Sequence, residues 1–209
     1  MRTLRRKLLF KTKYEILNCL YTNGGYVDTG FPEGNYIFHI KFSAPSFVPW
    51  SFRFMSSGLA TGDKDRFYSG INGSETTNTF IQGCGSVFKN INLYKTLLTE
   101  PHEYKFQNGI GENEFWAKLD DNYLILPEAG RKSYFTNRTI KLFFLYGKLC
   151  YGFVYYVRIY DGNKLLRDFI PVRRRSDGKI GLLDKVENKF YTSSNKIEFT
   201  NNELNKELK

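Results

Sequence analysis

Residues 153–171 of the chain read FVYYVRIYDGNKLLRDFIP, and residues 177–192 read DGKIGLLDKVENKFYT. The run from Phe153 to Tyr160 is apolar on both faces, which is typical of a central β-strand. Asp161-Gly162 and Asp177-Gly178 indicate hairpin turns, because Asp and Gly tolerate positive φ angles. We expect the strand through residues 166–170 to stop at Pro171, because proline has no N–H to donate to a ladder. The stretch therefore predicts consecutive antiparallel strands.

The same alternation of period two recurs along the chain. Between residues 36 and 42, Tyr36, Phe38, Ile40 and Phe42 share one face, and polar residues take the other. Trp116 and Lys118 likewise alternate with the apolar residues of segment 115–119, and the run 140–145 reads as another central strand. The 19 Phe and 15 Tyr favour strands, and no repeat or linker divides the chain. Composition and pattern predict an all-β antiparallel β-sandwich in one domain.

Several segments resemble a known family. They are GYVDTG at residues 25–30, RIYDG at 158–162, LRDFIP at 166–171, DGKIGLLD at 177–184 and FYT at 190–192. Together they resemble the laminin G-like, concanavalin A-like jelly-roll domain of virion and surface proteins of phages and bacteria of the gut. The resemblance implies a jelly roll over about residues 14–200, between a basic arm at 1–13 and a polar tail at 201–209. Leu183 stands where that family usually has Tyr, and residues 45–135 match it little.

The charge of the chain is concentrated in the N-terminal arm. The formal net charge is +10, and the six basic residues of the first 13, with no acid among them, contribute +6 of it. Such arms dock on acidic partner surfaces or on nucleic acid, although a solvated terminus is the plain alternative. A second basic run follows Pro171. The candidate docking residues are Arg2, Arg5, Arg6, Lys7, Arg173, Arg174 and Arg175.

The two tryptophans are the candidate glycan-binding residues. Trp116 lies on the polar face of its predicted strand beside Lys118, and Trp50 follows Pro49 at the end of a loop. An exposed aromatic ring packs against the C–H face of a sugar while polar neighbours bond its hydroxyls. The alternative is that both rings cover the sandwich or a subunit interface.

No catalytic constellation is recognisable. Retaining glycoside hydrolysis needs two carboxyl groups about 5–5.5 Å apart, and the nearest approach is Glu112 and Glu114 in loop-like surroundings. The two histidines, His39 and His102, lie on outward strand positions without identifiable partners. Three widely spaced cysteines show no metal or redox spacing. We therefore expect no enzyme, no cofactor and no metal site.

Localisation and partners follow from these expectations. The apolar run Leu8–Phe10 is too short for a signal peptide, and no run of about 18 apolar residues predicts a membrane helix. The leading hypothesis is a structural or adhesive virion protein, such as a head- or tail-fibre component, assembled in a host cytoplasm. It would bind other virion proteins, self-associate and contact host-surface polysaccharide, with no role in nucleic-acid binding. The alternatives are a soluble carbohydrate-binding lectin module and a divergent glycoside hydrolase or lyase.

Overall fold

The computed structural model describes residues 12–45, 50–57, 67–74, 77–84, 87–93, 98–109, 114–125, 138–144 and 149–201. These residues form sixteen β-strands in two antiparallel sheets that pack face to face. The predicted all-β antiparallel sandwich is confirmed.

The larger sheet has ten strands and the smaller has six. The larger contains β1 (Tyr14–Ile16), β2 (Leu20–Tyr21), β4 (Ile37–Ser43), β9 (His102–Asn108), β10 (Phe115–Leu119), β11 (Asn122–Ile125), β13 (Phe153–Asp161), β14 (Lys164–Arg174), β15 (Ile180–Asp184) and β16 (Lys189–Tyr191). Its order is β11-β10-β9-β4-β13-β14-β15-β16, with β1 beside β14 and β2 beside β13. The smaller has the order β3-β12-β5-β6-β7-β8, from β3 (Val27–Pro32), β12 (Thr139–Leu142), β5 (Trp50–Ser56), β6 (Phe67–Gly73), β7 (Asn78–Cys84) and β8 (Val87–Asn92).

The core consists mainly of aromatic rings between the sheets. Phe42 of β4 stacks on Phe52 of β5 with ring centroids 4.3 Å apart, and Phe54 of β5 lies 4.6 Å from Tyr104 of β9. All four rings are fully buried. Each such side chain contributes roughly 1.5–3 kcal/mol through burial alone, so these contacts fix how the sheets face each other.

The predicted turns are present. Gly162 and Gly178 of the two predicted hairpins have φ angles of 54° and 71°. Asn23 and Gly24, with φ angles of 48° and 86°, form a turn that joins β2 of the larger sheet to β3 of the smaller and is not a hairpin. The turn between β10 and β11 has positive φ at both Asp120 and Asp121, 47° and 67°, as a two-residue hairpin loop requires. Asp161-Gly162 and Asp177-Gly178 therefore located the β13–β14 and β14–β15 hairpins correctly.

The prediction that a strand ends at Pro171 is wrong. β14 continues through Pro171 to Arg174, and Pro171 pairs with Leu182 of β15. On its other edge β14 pairs with β13 up to Phe169 and with β1 from Val172. The Pro171 carbonyl accepts a hydrogen bond from Leu17 N on that edge, so its nitrogen faces the gap between β13 and β1. The missing N–H therefore falls where no ladder partner is needed.

The two runs predicted as central strands are central, but each has one face that is only half-buried. β13 lies between β4 and β14, with Val157 buried and Arg158 turned outward. β12 lies between β3 and β5, and its Lys141 is half-buried. β12 ends at Leu142, because Phe143 adopts a φ of 63° that a strand cannot hold.

Buried carboxylates help to hold β13, β14 and β15 together. Asp184 is fully buried; its Oδ1 accepts hydrogen bonds from Asp168 N at 3.1 Å and Val186 N at 3.0 Å. The Asp168 carboxylate pairs with Arg158 at 3.1 Å and Lys185 at 2.7 Å. The acidic residues of the closing segments therefore tie strands together.

Candidate functional site

The structure places Trp116 on the outer face of the larger sheet, as predicted. Its strand alternates buried Phe115, Ala117 and Leu119 with half-buried Trp116 and Lys118. The other candidate, Trp50, is the first residue of β5 in the smaller sheet, and its side chain lies outside the described residues. The two tryptophans thus belong to different sheets, and the candidate site is built around Trp116.

A chain of side-chain hydrogen bonds holds the Trp116 indole. The indole Nε1 donates to Gln107 Oε1 at 2.8 Å, and Gln107 Nε2 donates to Asn35 Oδ1 at 2.7 Å. Gln107 lies directly opposite Trp116 in the β9–β10 ladder. The backbone carbonyls of Gln107 and Trp116 also accept hydrogen bonds from the Nε2 of buried Gln82, which lies on β7 of the other sheet. The ring is therefore fixed in one orientation before any ligand arrives.

Tyr123 is a functional candidate that the sequence reasoning missed. It lies on β11, just after the Asp120-Asp121 turn, and it is 58% exposed. Lys118 lies between the two aromatic residues, with its Nζ 4.3 Å from the Tyr123 ring centroid and 6.0 Å from that of Trp116. The hairpin turn brings Tyr123 opposite Lys118, so the turn itself was the signal in the sequence.

Four nitrogen-bearing side chains form a line across the outer face, here called the cationic row: Lys118, Lys105, His39 and Arg158. Lys118 of β10 lies opposite Lys105 of β9, and Lys105 lies opposite His39 of β4. His39 in turn lies opposite Arg158 of β13. Burial lowers the pKa of His39, and the charge of Lys105 lowers it further, so the imidazole is held neutral.

Aromatic rings accompany the row at the β13 end as well. The Tyr160 ring lies 4.7 Å from the His39 ring, and the Arg158 guanidinium lies 4.5 Å from the Tyr156 ring centroid. The Tyr156 hydroxyl donates to Glu103 Oε1 at 2.6 Å, so this ring is also fixed by a hydrogen bond. Burial and the Glu103 carboxylate raise the pKa of Tyr156, which therefore stays protonated.

Two cations of the row have carboxylate partners. Lys105 Nζ lies 2.8 Å from Asp121 Oδ1, and Arg158 Nε lies 3.1 Å from Asp168 Oδ1. For Lys118 no carboxylate lies within 4.0 Å in the described part of the chain, and its Nζ lies against the rings of Tyr123 and Trp116. Lys118 is therefore the cation of the row most open to an anionic ligand.

The basic run Arg173-Arg174-Arg175 is divided by its contacts. Arg173 pairs with Glu15 of β1 at 3.0 Å, and Arg174 forms a two-point pair with Asp177. Arg175 is exposed, and its backbone N donates to the Lys13 carbonyl at 2.9 Å. The candidate docking residues Arg2, Arg5, Arg6 and Lys7 lie outside the described residues. Docking by these arginines stays a prediction.

The residues considered for catalysis do not come together. Glu112 lies outside the described residues, and Glu114 is a half-buried residue just before β10. His102 Nδ1 lies 2.5 Å from Asp120 Oδ2 at the start of β9, three residues before Lys105 of the row. Within the described ranges no group of three or more His, Cys, Asp and Glu side chains is placed to hold a metal ion. Cys19 and Cys150 are buried thiols, and burial raises the pKa of Cys150 to about 11.

No helix among the described residues is long and apolar enough to cross a membrane.

Comparisons with known proteins find similarities of fold among solved structures. No protein-family model matches the sequence, and no curated protein matches it. Among solved structures, the fold is similar to domains LG4-5 of the mouse laminin alpha1 chain, with a TM-score of 0.42 and 11% sequence identity. The match covers 74% of this chain and 44% of the laminin chain, so this protein spans less than half of that structure. At this level of identity the similarity says nothing of a ligand or an activity.

Proposed function

We propose that this protein is a non-catalytic adhesive module that binds glycans on the outer face of its larger sheet. The carrying observation is the Trp116 ring, fixed by Gln107 beside the exposed ring of Tyr123. Sugar recognition needs such rings together with polar groups, because the rings cover the C–H face of a sugar and the polar groups bond its hydroxyls. A ring that is already oriented loses little side-chain entropy on binding.

The polar groups for this role stand on the same face. Lys118 lies beside both rings, and Gln107 and Lys105 occupy neighbouring positions of β9. Glu103, Asp121 and the Tyr160 hydroxyl add acceptors that face the same side. A sugar seated on Trp116 would therefore meet both donors and acceptors.

The proposal is tested by binding of the purified protein to an array of bacterial surface polysaccharides. We expect selective binding that Trp116→Ala abolishes. Tyr68→Ala, which removes a half-buried ring of the smaller sheet, is the matched control and should bind as the parent does. Absence of binding to every glycan, or equal binding by Trp116→Ala, would overturn the proposal.

We propose further that the module is displayed on a virion, as a head- or tail-fibre or capsid-associated component made in a host cytoplasm. The support is the resemblance of residues 158–192 to virion proteins and the basic arm. The hydrogen bond from Arg175 N to the Lys13 carbonyl puts the base of that arm beside an exposed arginine. Arm and Arg175 would dock on other virion proteins, and a fibre role implies a symmetric homo-oligomer.

The virion proposal has its own test. Mass spectrometry of density-purified particles should find the chain in stoichiometric amounts, and a variant lacking residues 1–13 should fail to join them. Glycan binding by a protein absent from particles would instead favour the soluble lectin. Shortening of a polysaccharide that Glu114→Gln abolishes would favour the hydrolase.

A further inference from the structure

We propose that the glycan bound by this face is an acidic polysaccharide that lies along the cationic row, across the strands. This inference rests on the proposed function and adds the chemical class of its ligand. The cationic row and its carboxylate neighbours carry it, whereas the glycan-binding proposal rests on the rings.

The row is an arrangement that folding alone does not favour. Lys118 and Lys105 are directly opposed in the ladder, and like charges at such positions destabilise a sheet. Asp121 in the turn pairs with Lys105 at 2.8 Å. The charge of Lys118 also helps to lower the pKa of Asp121, but the Lys118 Nζ lies against two rings and has no carboxylate within 4.0 Å among the described residues. A ligand carboxylate placed over Lys118 would relieve the repulsion between Lys118 and Lys105. The relief of this repulsion would add to the free energy of binding an anion.

The geometry suits a linear chain of uronic acids. Adjacent strands lie about 4.8 Å apart, so four opposed residues on four strands span about 14 Å. Rings flank both ends, with Tyr123 and Trp116 beside Lys118 and with Tyr160 and Tyr156 beside His39 and Arg158. A polyuronate would place its ring faces on these aromatic side chains while one of its carboxylates pairs with Lys118.

The carboxylates on the face argue against nucleic acid as the ligand. Nucleic acid presents a dense row of phosphates, and its binding depends on releasing counterions from many of them. Here Asp121 and Asp168 already neutralise Lys105 and Arg158, and Glu103 stands in the next row. Among the described residues Lys118 is thus the cation of the row with no carboxylate within 4.0 Å, and one such cation fits the sparser charge of a polyuronate.

The test compares polyuronates with their own neutral forms by titration calorimetry. The probes are polygalacturonate, alginate and hyaluronan, each beside its carboxyl-reduced derivative, and a single-stranded oligonucleotide. We expect at least one polyuronate to bind at least about tenfold more tightly than its reduced form, since a charge-assisted bond contributes about 1.5–3 kcal/mol. Lys118→Gln should remove that preference, and Lys118→Arg should keep it.

Lys179→Gln is the matched control, because this exposed lysine lies in the turn between β14 and β15, far from the row. It should leave all affinities unchanged, and equal melting temperatures of the variants would show that each is folded. Equal binding of a polyuronate and its reduced form overturns the acidic-ligand inference and leaves the glycan proposal intact. Binding to none of the glycans overturns both, and preference for the oligonucleotide overturns the choice of ligand class.

Discussion

The Trp116 indole Nε1 and the Gln107 Oε1 lie 2.8 Å apart across the β9–β10 ladder, in a hydrogen bond that fixes the ring. Gln107 is itself held by Asn35 at 2.7 Å. Side chains from two strands and from the loop before β4 therefore set the orientation of the half-buried Trp116 ring. In this account Gln107 is a positioning residue, which acts on a ligand through Trp116.

Replacing Gln107 with leucine should lower glycan affinity. The change keeps the volume of the side chain and removes the acceptor of the indole N–H, so the ring loses its fixed orientation. A neutral hydrogen bond contributes about 0.5–1.5 kcal/mol, which corresponds to a loss of affinity of about two- to tenfold. Titration calorimetry measures it, and Trp116→Phe, which keeps a ring without the N–H, should lose a similar amount. Unchanged affinity in both variants would show that the hydrogen bond has no part in binding.

Asp184→Ala should destabilise the fold strongly. Asp184 is fully buried, and its removal leaves the backbone N–H groups of Asp168 and Val186 without their acceptor and Arg167 without a carboxylate 3.4 Å away. Breaking a buried charge pair costs about 3–5 kcal/mol. Urea unfolding measures this loss.

Asp177→Ala is the control for that measurement. Its pair with Arg174 is on the surface, where solvent screens the charges, so the unfolding midpoint should hardly move. Similar losses in the two variants would mean that burial does not distinguish the roles of these aspartates.

Gly152→Ala should destabilise the core. A Cβ at this position would overlap the Phe42 ring and lie 2.9 Å from Phe52 Cδ2, between the stacked rings that join the sheets. Overpacking of this kind costs about 1–3 kcal/mol. Gly162→Asn is the comparison, because its φ of 54° is tolerated by Asn and open space surrounds it. A thermal melt in which Gly162→Asn loses more than Gly152→Ala would contradict the packing described.

Stability should fall at alkaline pH in part through Cys150. Burial raises the pKa of this thiol from 9.0 to about 11, so above pH 9 the unfolded chain loses the proton first. The contribution is complete below pH 9 and is lost as the pH rises to about 11, and it is about 3 kcal/mol. Urea unfolding across this range should show a smaller fall for Cys150→Ala than for the parent. Parallel curves would remove Cys150 as a cause.

Local sequence features predicted much of the fold. The alternation at residues 36–42 and 115–119 assigned the buried faces correctly, and Asp161-Gly162 and Asp177-Gly178 located two hairpins. The prediction that a strand ends at Pro171 was wrong. The free-energy cost of a proline in a strand depends on whether its nitrogen faces a partner strand, and here that depends on where β1 replaces β13 beside β14. A residue type states a local preference, whereas the change of strand partner is set by the whole sheet.

The candidate site was only partly predictable. Trp116 was found because alternation turned it outward, and the turn before Tyr123 could have revealed its neighbour. The cationic row could not be predicted from the sequence, because its members lie far apart along the chain, between residues 39 and 158. They meet through three ladders whose register depends on the packed core. Likewise, nothing local to Arg173 signals that Glu15 will neutralise it.

The most direct test of the central claim is a ¹H–¹⁵N spectrum of the two tryptophan indoles, recorded while the tightest-binding glycan of the array is added. Trp116→Phe assigns the two signals. The account predicts that the Trp116 signal shifts with the same saturation as the binding isotherm. Binding that leaves this signal unmoved, or that moves the Trp50 signal alone, would place the glycan elsewhere and contradict the account.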